Sequence, residues 1–298
     1  GGSGLIGKQL QKKLISKGYS VSILGRSLAK SKSVTSYLWN VNTKTIDEKA
    51  ITTADYIVNL AGAGIADSRW TSSRKEIIIS SRVDSTELLI QTIRKTKSTP
   101  KAFVSASAIG YYGATTSDKI FTEQDLCGKD FLSLSCKQWE NSSKPIEDLK
   151  IRRVIIRVGV VLSKNGGALS KMITPFKYGI GSAIASGKQY IPWIHINDLC
   201  DVFIKSIEDQ KMEGVYNAVA PEETTNNEFG KTLSKSINKP YWLPKTPKII
   251  LKIVLGEMAV LVTEGSRVSS QKLLSKGFEF KYLTLKKALQ NLLANPNS

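Results

Sequence analysis

The sequence predicts an α/β fold: a doubly wound parallel sheet followed by a smaller, mostly helical C-terminal lobe. Three observations predict it. Strand-like and helix-like segments alternate through the first half, the pattern of a parallel sheet covered by helices. The chain opens on Gly1-Gly2-Ser3-Gly4-Leu5-Ile6-Gly7, whose G-x-x-G-x-x-G spacing normally joins a first strand to a first helix. After Gly166-Gly167 the alternation gives way to glycine-rich loops, then to helical stretches punctuated by Pro240, Pro244 and Pro247. At 298 residues there is room for a full core and the second lobe. The expected division is 1–165 and 166–298, with later strands from 190–220 returning to the first part and a helical C-terminal region over about 240–298.

In order along the chain, glycine serves the opening turn in three ways. It allows the tight turn, lets backbone approach a pyrophosphate, and lets the helix pack closely on a strand. The first strand of such a sheet is central, so a strand is expected ahead of Gly1 and is missing from the given chain. Residues 8–17 place Leu10, Leu14 and Ile15 at helical spacing, and Gly18 supplies the stop. Residues 19–24 alternate as a strand, and residues 55–60 form a β-branched one. A helix is expected over 80–95, a strand over 101–106, and a helix over 132–149 interrupted near Pro145. Residues 151–162, with Val154-Ile155-Ile156, read as another buried strand.

Composition narrows the function classes. Hydrophobic residues make up 41% and charged residues 23%, ordinary for a globular protein. The most apolar stretch, 249–262, is broken by Lys252 and Glu257 and reads as an amphipathic or packed helix, so no membrane partner is expected. Cys127, Cys136 and Cys200 lack metal-ligand or disulfide-framework spacing; no metal site and a reducing, cytoplasmic setting follow. The net charge of +18 comes from lysines scattered over helices and loops with no stacking aromatics beside them. Solvated lysine faces, with no specific nucleic acid, are the expected meaning.

The second strand ends in Gly25-Arg26-Ser27, where an NAD site would place an acid for the ribose hydroxyls. An arginine there can hold a 2′-phosphate by paired charge-assisted hydrogen bonds, which favours NADP; the alternative is an exposed strand-end arginine. The strand Ile57-Val58-Asn59-Leu60 runs into Ala61-Gly62, small residues where backbone passes beside a flat nucleotide, or an ordinary strand-to-loop glycine.

These features resemble an extended short-chain dehydrogenase/reductase. More narrowly, the chain resembles its atypical epimerase-like subgroup, family 39U, which includes the bacterial YfcH-type proteins. The matching stretches are Arg69-Trp70, Ser81-Arg82-Val83, Ser105 to Gly113, Trp139-Glu140, Arg157 to Leu162 and Trp193 to Leu199. Gly256-Glu257-Met258 and Glu264 to Val268 match the subgroup's C-terminal domain of unknown function. The resemblance implies a Rossmann-type fold binding NADP through Gly1, Gly2, Ser3, Gly4, Leu5, Ile6, Gly7, Arg26, Ser27, Leu60, Ala61, Gly62, Arg82, Ser105 and Val160.

Working members of the wider family use a Ser or Thr, a Tyr as proton donor and a Lys one helical turn later. By that resemblance Ser107 takes the serine role and Lys137 the lysine role, but Ser133 stands where the tyrosine belongs and Phe131 cannot donate a proton. Tyr111, or Tyr112 beside it, is the candidate substitute acid, with local packing as the alternative. Glu123 and Glu140 are further candidates. His195, the sole histidine, is expected to tie a strand end to a helix start that Asp198 caps. The glycines at 179, 181 and 187, with Lys188 and Gln189, suit either a closing loop or a rigid one.

The function expected is a cytosolic NADP-binding oxidoreductase or epimerase-like protein, moving hydride to or from a small hydroxylated or carbonyl substrate. A non-catalytic NADP sensor is the alternative, and a nucleic-acid-associated protein rests on net charge alone. By family analogy a homodimer would form through 80–95 and 132–149.

Overall fold

The computed structural model describes residues 1–28 and 33–294. Helix α1 (Leu5–Ser16) follows the glycine turn and leads to strands β1 (Ser22–Gly25), β2 (Thr35–Asn40) and β3 (Thr45–Ile46). Next come α2 (Lys49–Thr52), β4 (Tyr56–Asn59), α3 (Ser72–Thr96), β5 (Ala102–Ala108), β6 (Ile120–Phe121), α4 (Phe131–Ser142), β7 (Arg152–Val158) and β8 (Val160–Leu162). The second half holds α5 (Ala168–Lys177), β9 (Trp193–His195), α6 (Ile196–Glu208), β10 (Gly214–Ala218), α7 (Asn226–Ser236) and α8 (Lys248–Leu255). It ends in α9 (Val260–Thr263), β11 (Arg267–Val268), α10 (Gln271–Ser275) and α11 (Leu285–Leu293).

Strands β10, β7, β5 and β4 lie side by side in that order, all parallel. A second sheet pairs β1 with β2 in parallel and β2 with β3 antiparallel. A cleft of about 740 Å³ lies between β1 and β4, lined by Leu14, Ile23, Leu24, Val58 and the glycine turn. The apolar run of β5 is explained by burial on both faces. Ala102, Val104 and Ala106 join Leu10, Ile156 and Phe203 in one core, while Phe103 on the opposite face meets Leu89, Ile93 and Ile146 in another. A third cluster, joining Leu162, Trp193 and Phe229 to Leu285 and Leu289, packs α11 against α7 in the C-terminal half.

The interruption expected near Pro145 is present, with α4 ending at Ser142 and Lys144–Leu149 continuing as a 3₁₀ segment with proline at its start. Several elements depart from the sequence expectation for identifiable reasons. The strand expected over 151–162 is two strands, broken at Gly159, where a Cβ would lie 2.4 Å from the Pro192 carbonyl oxygen. There the chain leaves the sheet and β8 pairs with β9. Helix α3 begins before the expected 80, at Ser72, because Thr71 caps it by accepting the Arg74 amide. The apolar stretch 249–262 is three short helices instead of one; Gly256 at φ 61° ends α8. His195, not Asp198, caps α6. Strand β2, a mixture of half-buried and exposed positions, lacks the clean alternation that flags a strand.

Candidate functional site

The glycine turn is built as its spacing demands. The Gly4 amide donates to the Gly1 carbonyl at 3.0 Å. A Cβ on Gly1 would lie 2.1 Å from the Leu60 carbonyl oxygen, and one on Gly7 would lie 2.4 Å from the carbonyl oxygens of Gly1 and Gly2. The turn therefore presses against the end of β4, and α1 presses against the turn. Gly4, the N-cap, offers no side-chain cap, and the first turn holds no acid. Amides at Leu5 and Ile6 and the positive end of the helix are left for an anion. Arg26 and Ser27 sit exposed just past β1, and Arg26 makes no ion pair with another described residue.

At the end of β4, buried Asn59 donates to Thr86 Oγ1 at 2.9 Å and accepts the Ala61 amide at 3.0 Å, fixing the exit toward Gly62. Arg82 lies over Gly62, where a Cβ would sit 3.0 Å from its Cζ. Its nitrogens donate to the carbonyls of Ile78 and Ala63 at 2.7 and 3.0 Å, and its guanidinium lies 5.0 Å from the Trp139 ring. Burial holds its pKa below the ordinary value, and no carboxylate pairs with it among the described residues. Val160 lies farther along, half-buried in β8 and paired with Trp193.

Ser105 and Ser107 share the face of β5 opposite its main core, both buried. Ser105 donates to the Ala106 carbonyl at 3.1 Å. Ser107 donates to Glu140 Oε1 at 2.7 Å, and Glu140 is gripped from β7 by Arg157: Nε to Oε1 and Nη2 to Oε2, each at 2.8 Å. Arg157 Nη1 donates to the Tyr112 hydroxyl at 2.9 Å, which donates to Asn217 Oδ1 at 2.7 Å. Asn217 completes the chain, donating from its amide nitrogen to Glu123 and from its side chain to the Ser269 carbonyl. Burial opposes the charge on Arg157, and the bidentate carboxylate outweighs it, so its pKa is raised. Burial pushes the Tyr112 hydroxyl up to about 12.

Sequence reasoning named Glu140 and Glu123 without a geometry and missed Arg157 as the partner of Glu140. The signal was present: an arginine inside the apolar run Val154-Ile155-Ile156-Arg157-Val158 is a buried charge, which requires a paired acid.

The three catalytic candidates Ser107, Tyr111 and Lys137 make no hydrogen bond to one another, although Tyr111 and Ser107 both border the Arg157–Glu140 pair. Tyr111 packs its ring 3.4 Å from the Arg157 guanidinium, half-buried, and burial raises its pKa. Lys137 is exposed on α4 and has no hydrogen bond to Ser107 or Tyr111. Ser133, where a tyrosine would be expected, is buried with its hydroxyl donated to Asp130 Oδ1 at 2.8 Å. His195 serves structure: Nδ1 accepts the Asn197 amide at 3.0 Å, Nε2 meets Asn291 Oδ1 at 3.1 Å, and the ring stacks on Tyr282 at 3.7 Å. Burial lowers its pKa to about 4. Asp198, in the first turn of α6, accepts the amides of Lys281 and Tyr282 at 3.1 and 3.0 Å. The loop after α5 is tied down: buried Gln189 donates to the carbonyls of Ile184 and Val262.

Residues 1–218 match the family model described as NAD dependent epimerase/dehydratase family. The chain belongs to that family. Residues 246–292 of this epimerase-family chain match a second model, Domain of unknown function (DUF1731). It is 36% identical over 298 residues to the Epimerase family protein YfhF of Bacillus subtilis, covering 99% of this chain and 97% of that protein. It is 31% identical over 297 residues to the Epimerase family protein SDR39U1 of Mus musculus, covering 99% and 98%. The human epimerase family protein SDR39U1, isoform 2, crystallised with NADPH, superposes with a TM-score of 0.87 at 29% identity, covering 99% of this chain and 97% of that one. The chain is thus an epimerase family protein of the SDR39U1/YfhF type, with the Rossmann-like short-chain dehydrogenase/reductase fold.

Proposed function

We propose that the protein binds NADP(H) and transfers hydride to or from a small hydroxylated or carbonyl substrate. The observation that carries this is the pairing of an uncapped α1 start, free of acids, with an exposed Arg26 at the end of β1 that makes no ion pair among the described residues. Those residues fit a phosphate-bearing dinucleotide. Gly1, Gly2, Ser3, Gly4, Leu5, Ile6 and Gly7 would face the pyrophosphate, and Arg26 with Ser27 the 2′-phosphate. Leu60, Ala61, Gly62, Arg82, Ser105 and Val160 would border the rest. The crystallisation of human SDR39U1 with NADPH supports the choice of phosphate form. Bound there, the dinucleotide supplies or accepts the hydride.

The chain's own groups then set the polarity of the substrate site. A carboxylate held on both oxygens by Arg157 has only acceptor capacity, so the Ser107 proton is committed to Glu140. Toward a ligand Ser107 offers lone pairs, which suits a substrate hydroxyl better than a carbonyl oxygen. Tyr111, kept protonated by burial, supplies the donor, and Lys137 on the exposed side of α4 holds polar groups of the ligand. The cleft between β1 and β4 would take one more parallel strand and join the two sheets.

The test is loss of NADPH fluorescence with the full chain over a panel of aldehydes, ketones and nucleotide sugars. Turnover abolished in Ser107→Ala or Tyr111→Phe is expected. Retained NADPH binding without turnover on any substrate would favour the second reading, an NADP(H) sensor, which the Ser133 substitution at the tyrosine position supports.

A further inference from the structure

Helix α8, Lys248–Leu255, has no buried residue although six of its eight residues are Ile, Leu or Val. Ile249 and Ile253 are 67% and 72% exposed, and Trp242, Tyr178 and Ile180, in the segments fastened ahead of α8, are 73%, 78% and 60% exposed. These side chains stand on one fixed frame. Tyr241, next to Trp242, stacks on Phe176 at 6.0 Å. The Thr246 amide donates to Ala183 at 2.8 Å, and the Ala185 amide donates back to Thr246 at 2.9 Å. From the other side, Arg69 donates to the carbonyls of Ile253 and Val254 at 3.2 and 2.6 Å, holding the end of α8.

Glu264 pairs with Lys248 at the start of α8 and exposed Glu257 follows its end, but the segments that form this face carry only positive charge. Residues 149–197 and 229–256, which supply all of it, contain no Asp or Glu. Lys177, Lys239, Lys245 and Lys252 are exposed among the apolar side chains. A second copy docking symmetrically would bring the same lysines against themselves. An anionic bilayer surface satisfies both features. Isoleucines enter the acyl boundary, Trp242 sits at headgroup level, and lysine stems lie along the apolar face with their ammonium groups among lipid phosphates. No helix among the described residues is long and apolar enough to cross a membrane, so α8 would lie in the plane of the surface.

We propose that α8, with Trp242 and the Tyr178–Ile180 loop, docks the protein on an anionic lipid surface. The full chain is sedimented with vesicles of phosphatidylcholine plus phosphatidylglycerol and with vesicles of phosphatidylcholine alone. Binding to the anionic vesicles only is expected, falling at high salt. It should weaken about tenfold or more in the Ile249→Glu/Ile253→Glu double variant, since two exposed isoleucines lose their burial. Both side chains are exposed, so the variant should keep the parent's melting temperature, and Trp242→Phe should remove a blue shift of tryptophan emission seen with vesicles. Absence of binding to the anionic vesicles would overturn the proposal. So would equal binding by the double variant, or a parent dimer in sedimentation velocity that the variant disperses without any vesicle binding.

Discussion

In the proposed function a single guanidinium, that of Arg26, would decide which dinucleotide suits the site. Arg26→Ala is expected to weaken NADPH binding by about tenfold to a hundredfold, the worth of charge-assisted hydrogen bonds to a phosphate, while leaving NADH affinity unchanged. Isothermal titration of both nucleotides measures this directly, and equal effects on the two would remove Arg26 from the phosphate role. At the buried pair, Glu140→Leu strands Arg157 without a partner and should cost about 3–5 kcal/mol of stability. Glu140→Leu/Arg157→Met should recover a large part of that loss, because removing both charges removes the uncompensated one. Thermal unfolding of the two single variants and the double variant completes the cycle. Arg26 was legible in the sequence because its place after a strand is a local fact. The Glu140–Arg157 pairing was not, because it joins a helix to a strand across the fold.

At the level of elements, the glycine turn predicts its own fragility. Gly7→Ala puts a methyl where two carbonyl oxygens already stand at 2.4 Å, so the start of α1 must move away from the turn. A loss of about 1–3 kcal/mol is expected, together with loss of NADPH binding. Circular dichroism melts and fluorescence titration would record the two effects, and unchanged binding would contradict the role given to the helix start. Strands β4, β5 and β7 and helix α1 were readable because buried parallel strands are continuous apolar runs and α1 carries a clear apolar stripe. Strand β2 and the break at Gly159 were not. The first has no alternation, and the second depends on how closely Pro192 approaches from a distant part of the chain.

For the molecule as a whole, the attachment of the C-terminal segment to α6 is acid-sensitive. His195 bonds Asn291 and stacks on Tyr282, while Asp198 receives the amides of Lys281 and Tyr282. The imidazole's pKa, lowered from 6.5 to about 4, favours its neutral form in the folded state. Between those values the unfolded chain binds the extra proton. The contribution is therefore complete above about pH 6.5 and is lost as pH falls toward 4, amounting to about 3 kcal/mol. Urea melts from pH 7.5 down to 4 should show this slope, and His195→Gln should flatten it. The α/β class and the helices of the C-terminal half followed from periodicity. The fastening did not, because its partners lie far apart in sequence and only the fold brings them together.

The polar chain from Ser107 through Glu140, Arg157 and Tyr112 to Asn217 links helix α4 with three neighbouring strands. Neither Glu140 nor Arg157 can be exchanged alone without leaving the other's charge stranded inside the protein. In evolutionary terms, descendants of this chain would be expected to inherit Glu140 and Arg157 together or to replace them in concert.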